Sequence, residues 1–136
     1  MTTPTTRPDD YPYATHLDIL FEPLQKIELT PLVKAVKDQW FNQTLCKVND
    51  SVVRFGVMQG EYHWHKHDHD DEFFFVLDGL FLIDLEPTES GEPGKVIELR
   101  PREGFTVPKG VVHRTRAPQR SVILMMENAG IIPTGD

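Results

Sequence analysis

From Ser51 to Glu127 the chain is written as short β-branched and aromatic runs, each cut off within a few residues by glycine, proline or aspartate. That punctuation constrains the fold more than any other feature of the sequence. Strands closed by tight turns need this spacing, whereas an amphipathic helix needs an unbroken stripe over several turns. The pattern predicts about eight strands, at 51–59, 62–67, 72–77, 80–86, 95–100, 105–107, 111–117 and 121–127. Between them lie Gly60, Asp78-Gly79, the loop from Pro87 to Gly94, Pro101 to Gly104, Pro108-Lys109-Gly110 and Pro118-Gln119. Each of these breaks supplies a residue that tolerates positive φ or a proline with fixed φ. Many short strands with such turns make an all-β sandwich or barrel.

The residues before Ser51 read differently. Thr30 as N-cap, Pro31 at the first helical position and the stripe Leu32, Val33, Ala35 and Val36 predict a short helix over 31–38. Two further edge strands are expected at 16–21 and 26–29. Residues 1–15 are expected to form a flexible arm, because Met1 to Asp10 hold four Thr, two Pro and two Asp and no apolar partner. The remainder, 16–136, is expected to be one barrel domain, since 136 residues suffice for one core and not for two.

Charge and composition exclude several classes. A net charge of −7 without any cluster of Lys or Arg speaks against a nucleic-acid partner, whose phosphates demand basic side chains. The longest apolar runs, 73–77 and 122–126, fall far short of the ~20 residues that span a bilayer. Asp, Glu and Pro interrupt the first thirty residues, which argues against a secretory signal. Cys46 is the single cysteine and has no partner for an internal disulfide. These features together predict a cytoplasmic protein that engages neither membrane nor nucleic acid.

Five of the six histidines are His63, His65, His67, His69 and His113. In an extended strand, side chains two apart share a face, so His65 and His67 converge on one point while Trp64 and Lys66 turn away. Glu72 lies an odd number of residues beyond His67, so a turn through Asp68-His69-Asp70-Asp71 must return it beside the histidines on the next strand. His113, launched by the turn at Pro108 to Gly110, supplies a third imidazole. Three imidazoles and one carboxylate suit a first-row divalent ion, whose remaining charge keeps it a Lewis acid. One divalent transition metal per chain (Fe, Zn, Mn or Ni) is therefore expected at His65, His67, Glu72 and His113.

These residues resemble the two metal-binding motifs of the cupin superfamily. The first motif reads G-x5-H-x-H-x3,4-E-x6-G, and Gly60, His65, His67, Glu72 and Gly79 follow it with one residue fewer after the first glycine. The second reads G-x5-P-x-G-x2-H-x3-N, matched by Pro108, Gly110 and His113. Arg102 stands where that motif has its first glycine, Gly104 comes two positions late, and Ala117 replaces the asparagine. The resemblance implies a six- to eight-stranded double-stranded β-helix, or jelly-roll, barrel with the metal inside, to which the short N-terminal helical segment read above is added. Pro133-Thr134-Gly135-Asp136 is similar to the tail of small cupins labelled mannose-6-phosphate isomerase-like.

Parity along the strands predicts an interior lined by Phe55, Phe74, Val76, Phe81, Ile83, Ile123 and Met125. So apolar a lining offers a sugar few hydrogen-bond partners, which disfavours a sugar-phosphate isomerase. Phe74 and Phe81 are candidate substrate-binding residues that exclude water. Arg54 is a third candidate, anchoring an anionic substrate if it points inward, although a solvent-facing orientation is the simpler expectation. Arg114 and Arg116 alternate out of phase with His113 and should face outward. His63 and His69 are candidates for a hydrogen bond to a metal ligand or for a proton relay. Phe73, Phe75 and Leu77 should also face outward, where a second subunit or the N-terminal segment would cover them; a homodimer is expected. Two functions fit best: a metal-dependent oxygenase or isomerase acting on a small oxygen-bearing molecule, or a small-molecule binding or sensing module without turnover.

Overall fold

The computed structural model describes residues 13–133 and residue 135. In chain order its elements are β1 (Ala14–His16), α1 (Leu29–Ala35), β2 (Trp40–Val48), β3 (Ser51–Glu61), β4 (Glu72–Asp78), β5 (Phe81–Leu85), β6 (Lys95–Leu99), β7 (Gly104–Val107) and β8 (His113–Asn128). The strands join in the order β1-β2-β3-β8-β4-β7, and β5 pairs with both β8 and β6. The ladders are antiparallel except for β1 on β2.

β8 organises this topology. Its start, His113 to Arg116, pairs with β5, while its remainder runs between β3 and β4. One strand therefore belongs to both halves of the sheet and folds them over each other into the jelly-roll barrel. Alternation fills the inside: on β4, Glu72, Phe74 and Val76 are buried while Phe73 and Leu77 are exposed. They meet Phe81, Ile83, Leu99, Val107, Ile123 and Met125 in one apolar cluster, closed at one end by Trp40, Met58 and Tyr62.

A second apolar layer lies outside the barrel. Phe41 and Leu45 of β2 and Phe55 and Val57 of β3 pack with Ala14 and Val36, beneath Phe21, Leu29, Leu32 and Val33 of the N-terminal segment. Phe55, fully buried here, contributes about 1.5–3 kcal/mol through the area it removes from water. This corrects the expected position of Phe55 in the interior: on β3 it is Arg54 and Met58 that face the cavity, and alternation sends Phe55 to the opposite face.

Other expectations are corrected by hydrogen bonding. Residues 62–67 form no strand; they run beside β8 through Tyr62 N–H to Thr115 O (2.8 Å) and a reciprocal bridge between His65 and His113 (2.9 and 2.8 Å). The expected strands 111–117 and 121–127 are one strand, because Pro118 sits in a bulge, where the partner of β3 jumps from Ser121 to Ala117, and no ladder bond needs its missing N–H. The helix begins at Leu29, with Glu28 as a cap that makes no side-chain bond, so Thr30 and Pro31 fall within its first turn. Proline is tolerated there because first-turn N–H groups have no intrahelical acceptor. Of the expected edge strands, 26–29 does not form, and 16–21 is reduced to His16 in β1 plus amide bonds from Leu20 and Phe21 to the carbonyls of Thr44 and Leu45. Ala14 and Thr15, at the end of the expected arm, are buried in β1, while Met1 to Asp10 lie outside the described residues. No helix among the described residues is long and apolar enough to cross a membrane.

The departures from the second motif also have a conformation. Arg102 takes φ +71°, the left-handed region that a glycine adopts freely. Gly104 is needed where it stands, since a Cβ there would lie 2.9 Å from the Phe74 carbonyl oxygen and 3.0 Å from the Phe75 ring.

Candidate metal centre

His65 and His67 come from the segment beside β8, Glu72 from the first position of β4, and His113 from the first position of β8. The turn through 68–71 is tied down by Lys109 N–H donating to Asp71 Oδ1 (2.9 Å) and Gly110 N–H donating to His67 O (2.8 Å). Four potential ligand atoms, one from each residue, all lie within 4.8 Å of one another. Glu72 Oε1 is 3.5 Å from His67 Nε2 and 3.4 Å from His113 Nε2.

Two of the imidazoles are oriented by the backbone. His65 Nδ1 lies 2.9 Å from His63 O, and His113 Nδ1 lies 3.0 Å from Val111 O. A carbonyl accepts only, so each Nδ1 carries the proton and each Nε2 presents a lone pair to the centre. The ring of His63 stacks on Tyr62 and leaves the orienting role to its carbonyl, and His69 is exposed.

Glu72 Oε1, His67 Nε2 and His113 Nε2 are buried and make no hydrogen bond. Each orphaned buried polar atom costs about 1–3 kcal/mol, so three pointing at one spot are an arrangement that a shared cation relieves. The donor set of three neutral nitrogens and one carboxylate oxygen fits a divalent transition ion. The electrostatics agree. Burial, and then the neighbouring His113, push the His65 pKa down to about 4, keeping the ring neutral and its lone pair free. Burial alone would raise Glu72, yet the imidazoles of His113 and His67 beside it outweigh burial and hold this carboxyl well below the ordinary range.

Beside the cluster is a small cavity of about 30 Å³ that opens toward solvent, room for roughly two or three waters. Trp40, Met58, Phe74, Phe81 and Met125 give it apolar walls, with His65 and Glu72 at one end. Tyr62 Oη donates to Pro133 O (3.2 Å), which holds the tail against the cavity's rim. Arg54 faces this cavity, with only 3% of its surface exposed, and so departs from the simpler expectation that it faces solvent. Arg54 NH1 lies 3.4 Å from Glu127 Oε1, and NH2 donates to Asn42 Oδ1. Glu127 is the cross-strand partner of Glu72, and burial together with the Glu72 charge raises its pKa well above the usual carboxylate value.

Glu127 and Asn42 are the residues that sequence reasoning missed. Glu127 shares the parity of Ile123 and Met125, so a charged residue in an inward register was its visible signal. Asn42 was hidden because β2 was not anticipated, although Asn49-Asp50 between two β-prone runs is a hairpin signature and Asn49 takes φ +53°. Arg114 and Arg116 do point outward, where both bond Asp84.

The family model described as "Cupin domain" matches residues 52–126. The chain is 39% identical over 100 residues to the Bacillus subtilis protein YdbB, spanning 74% of this chain and 83% of that one. Among solved structures, a cupin-2 domain containing protein from Shewanella frigidimarina aligns with a TM-score of 0.66 at 25% identity, covering 75% of this chain and 93% of that one. Hydroquinone 1,2-dioxygenase from Sphingomonas sp. TTNP3, solved with 4-hydroxybenzoate bound, aligns with a TM-score of 0.68 at 22% identity, covering 81% of this chain and 35% of that one.

Proposed function

Since the chain belongs to the cupin domain family, we propose that it is a metal-dependent enzyme, of oxygenase type, for a small oxygen-bearing organic molecule. The observation that carries this reading is the convergence of three orphaned, buried ligand atoms beside a cavity that Glu72 and His65 line. His65, His67, Glu72 and His113 hold one divalent ion, which supplies Lewis acidity and, if iron, redox chemistry with O2. The backbone carbonyls of His63 and Val111 keep the imidazoles in the ligating tautomer. Phe74 and Phe81 strip water from the bound molecule, and Arg54 meets its far end. The structural likeness to hydroquinone dioxygenases, one of them solved with Fe3+, supports iron as the first metal to test.

The protein is further proposed to act in the cytoplasm as a homodimer. The outer face of β4 leaves Phe73 and Leu77 each 37% exposed beyond the edge of the N-terminal cover, beside exposed Met126 of β8. The direct experiment is metal analysis of protein purified without added metal, followed by reconstitution with Fe(II), Mn, Ni or Zn and assay of keto acids, diketones and phenols with and without O2. Turnover with O2 consumption supports the oxygenase reading. Stoichiometric ligand binding without turnover would replace it with a binding or sensing module.

A further inference from the structure

Beyond β8 the chain runs through Ile131, Ile132 and Pro133 to Gly135, a stretch that the metal centre itself does not use. Ala129 N–H donates to Asp50 O (2.9 Å) and Ile131 N–H to Asn128 O (3.0 Å), and Ile131 is buried. Pro133 then lines the cavity and accepts a bond from Tyr62 Oη (3.2 Å), while Gly135 N–H closes a further turn on Ile132 O (2.9 Å). Gly135 takes φ +96°, and a Cβ placed on it would lie 2.7 Å from His65 Cβ and 3.0 Å from Lys66 O. Only glycine lets the tail rest this closely on a candidate metal ligand.

The tail also stands where the cavity opens. Among the described residues that line the cavity, all are buried except His65 and Pro133, so solvent enters between the metal ligand and the tail. With the tail in place the space is about 30 Å³, whereas sites for small organic ligands run from about 300 Å³ upward. Most of the other walls belong to β2, β3, β4, β5 and β8, each of which has a strand partner on either side. The segment carrying Tyr62 and His65 is bonded to β8. The tail is the wall with the weakest hold, so further room has to come from it. We infer that Pro133 and Gly135 are specificity-determining residues: the tail is a lid, and a molecule larger than about two or three waters reaches the metal position only by displacing it. This deepens the metal-dependent reading above and rests on it for the ion that such a molecule meets.

The test reads Trp40, which lines the cavity and is 3% exposed. The chain has two tryptophans, and Trp64→Phe removes the exposed one, so that fluorescence reports on Trp40 alone. In this full-length parent, with excess zinc present, quenching by acrylamide measures how often a small organic molecule enters the cavity. It should be far weaker than for an exposed tryptophan. Adding Tyr62→Phe cuts the tie to Pro133 and should raise the quenching constant about fivefold, the change in open population that one lost hydrogen bond brings. Adding Gly135→Ala instead should raise it about tenfold or more, because the new Cβ meets atoms that the His65–His113 bridge holds in place and the tail has to lift. Gly91→Ala is the control: Gly91 takes φ +99° with nothing within 4 Å of an added Cβ, so the substitution carries a similar backbone strain and should leave quenching unchanged. The inference is overturned, with the metal reading intact, if zinc is retained but the parent is quenched as freely as an exposed tryptophan, if neither Tyr62→Phe nor Gly135→Ala raises the constant, or if Gly91→Ala raises it as much as Gly135→Ala. A parent that retains neither zinc nor iron nor manganese overturns the metal reading, and with it the claim that the lid screens molecules bound for the ion.

Discussion

Replacing His67 by glutamine separates metal binding from folding more cleanly than any other change at the site. Neither ring nitrogen of His67 has a hydrogen-bond partner, so the substitution sacrifices no bond within the protein and keeps a polar side chain of similar size. Metal-free wild type and metal-free His67→Gln should therefore agree within about 1 kcal/mol. Metal separates them. With free ion at 100 times Kd, the wild type gains about 2.7 kcal/mol, because the ion binds the folded state alone. Unfolding entropy of about 2.1 cal/mol/K per residue, over 136 residues, is roughly 290 cal/mol/K, so that gain raises the melting temperature by about 9 °C. Loss of one ligand in four should weaken binding about 100-fold, beyond most outer-shell changes, leaving the ion near its Kd. The gain then shrinks to about 0.4 kcal/mol, or about 1 °C. Melting curves of both proteins with chelator and with a fixed concentration of Fe(II), Mn, Ni or Zn give the comparison. Equal metal-induced shifts in the two proteins would show that the stabilising ion sits elsewhere, and the assignment of the centre would be wrong.

Three further outcomes are expected. In metal-free protein, His65 has a folded pKa of about 4 against 6.5 unfolded, so above pH 6.5 it has no effect; as pH falls the unfolded chain takes the proton first, and stability should drop by about 3 kcal/mol down to pH 4. Urea unfolding across that range checks it, and a flat profile refutes it. Arg102→Gly should raise stability by about 0.5–1 kcal/mol, the left-handed strain relieved less the extra entropy of an unfolded glycine; a loss would mean that the Arg102 side chain makes a compensating contact. Light scattering at micromolar concentration should give a dimer mass for wild type and a monomer mass for Phe73→Arg/Leu77→Arg; a wild-type monomer refutes the homodimer.

The convergence of His65, His67, Glu72 and His113 was legible because most of its information is local. Alternation in His65-Lys66-His67, a polar turn and one launched histidine are readable from spacing alone, and parity correctly sent Phe74, Val76, Phe81, Ile83, Ile123 and Met125 inward. What failed depended on distant partners. The facing of Arg54 and Phe55 cannot be decided from β3 itself, since either face of that strand is buried, one by the cavity and the other by the N-terminal cover. An apolar residue signals burial, and here burial exists on both sides. Pro118 misled for a similar reason: proline reads as a chain break, yet a bulge absorbs it when a long strand must bend from one half of the barrel to the other.

That bent strand also fixes how the pocket can respond to a ligand. β8 carries His113 and Thr115 near one end and Met125 and Glu127 near the other, and it is hydrogen bonded to β5, β3 and β4 along its course. The spacing between the candidate metal position and the cavity floor is thus a property of one backbone clamped on both sides of its bulge at Pro118. Substrates differing in length would be accommodated by trimming side chains on β2, β3 or the tail, not by breathing of the barrel, and slow amide exchange along β8 would be its dynamic signature.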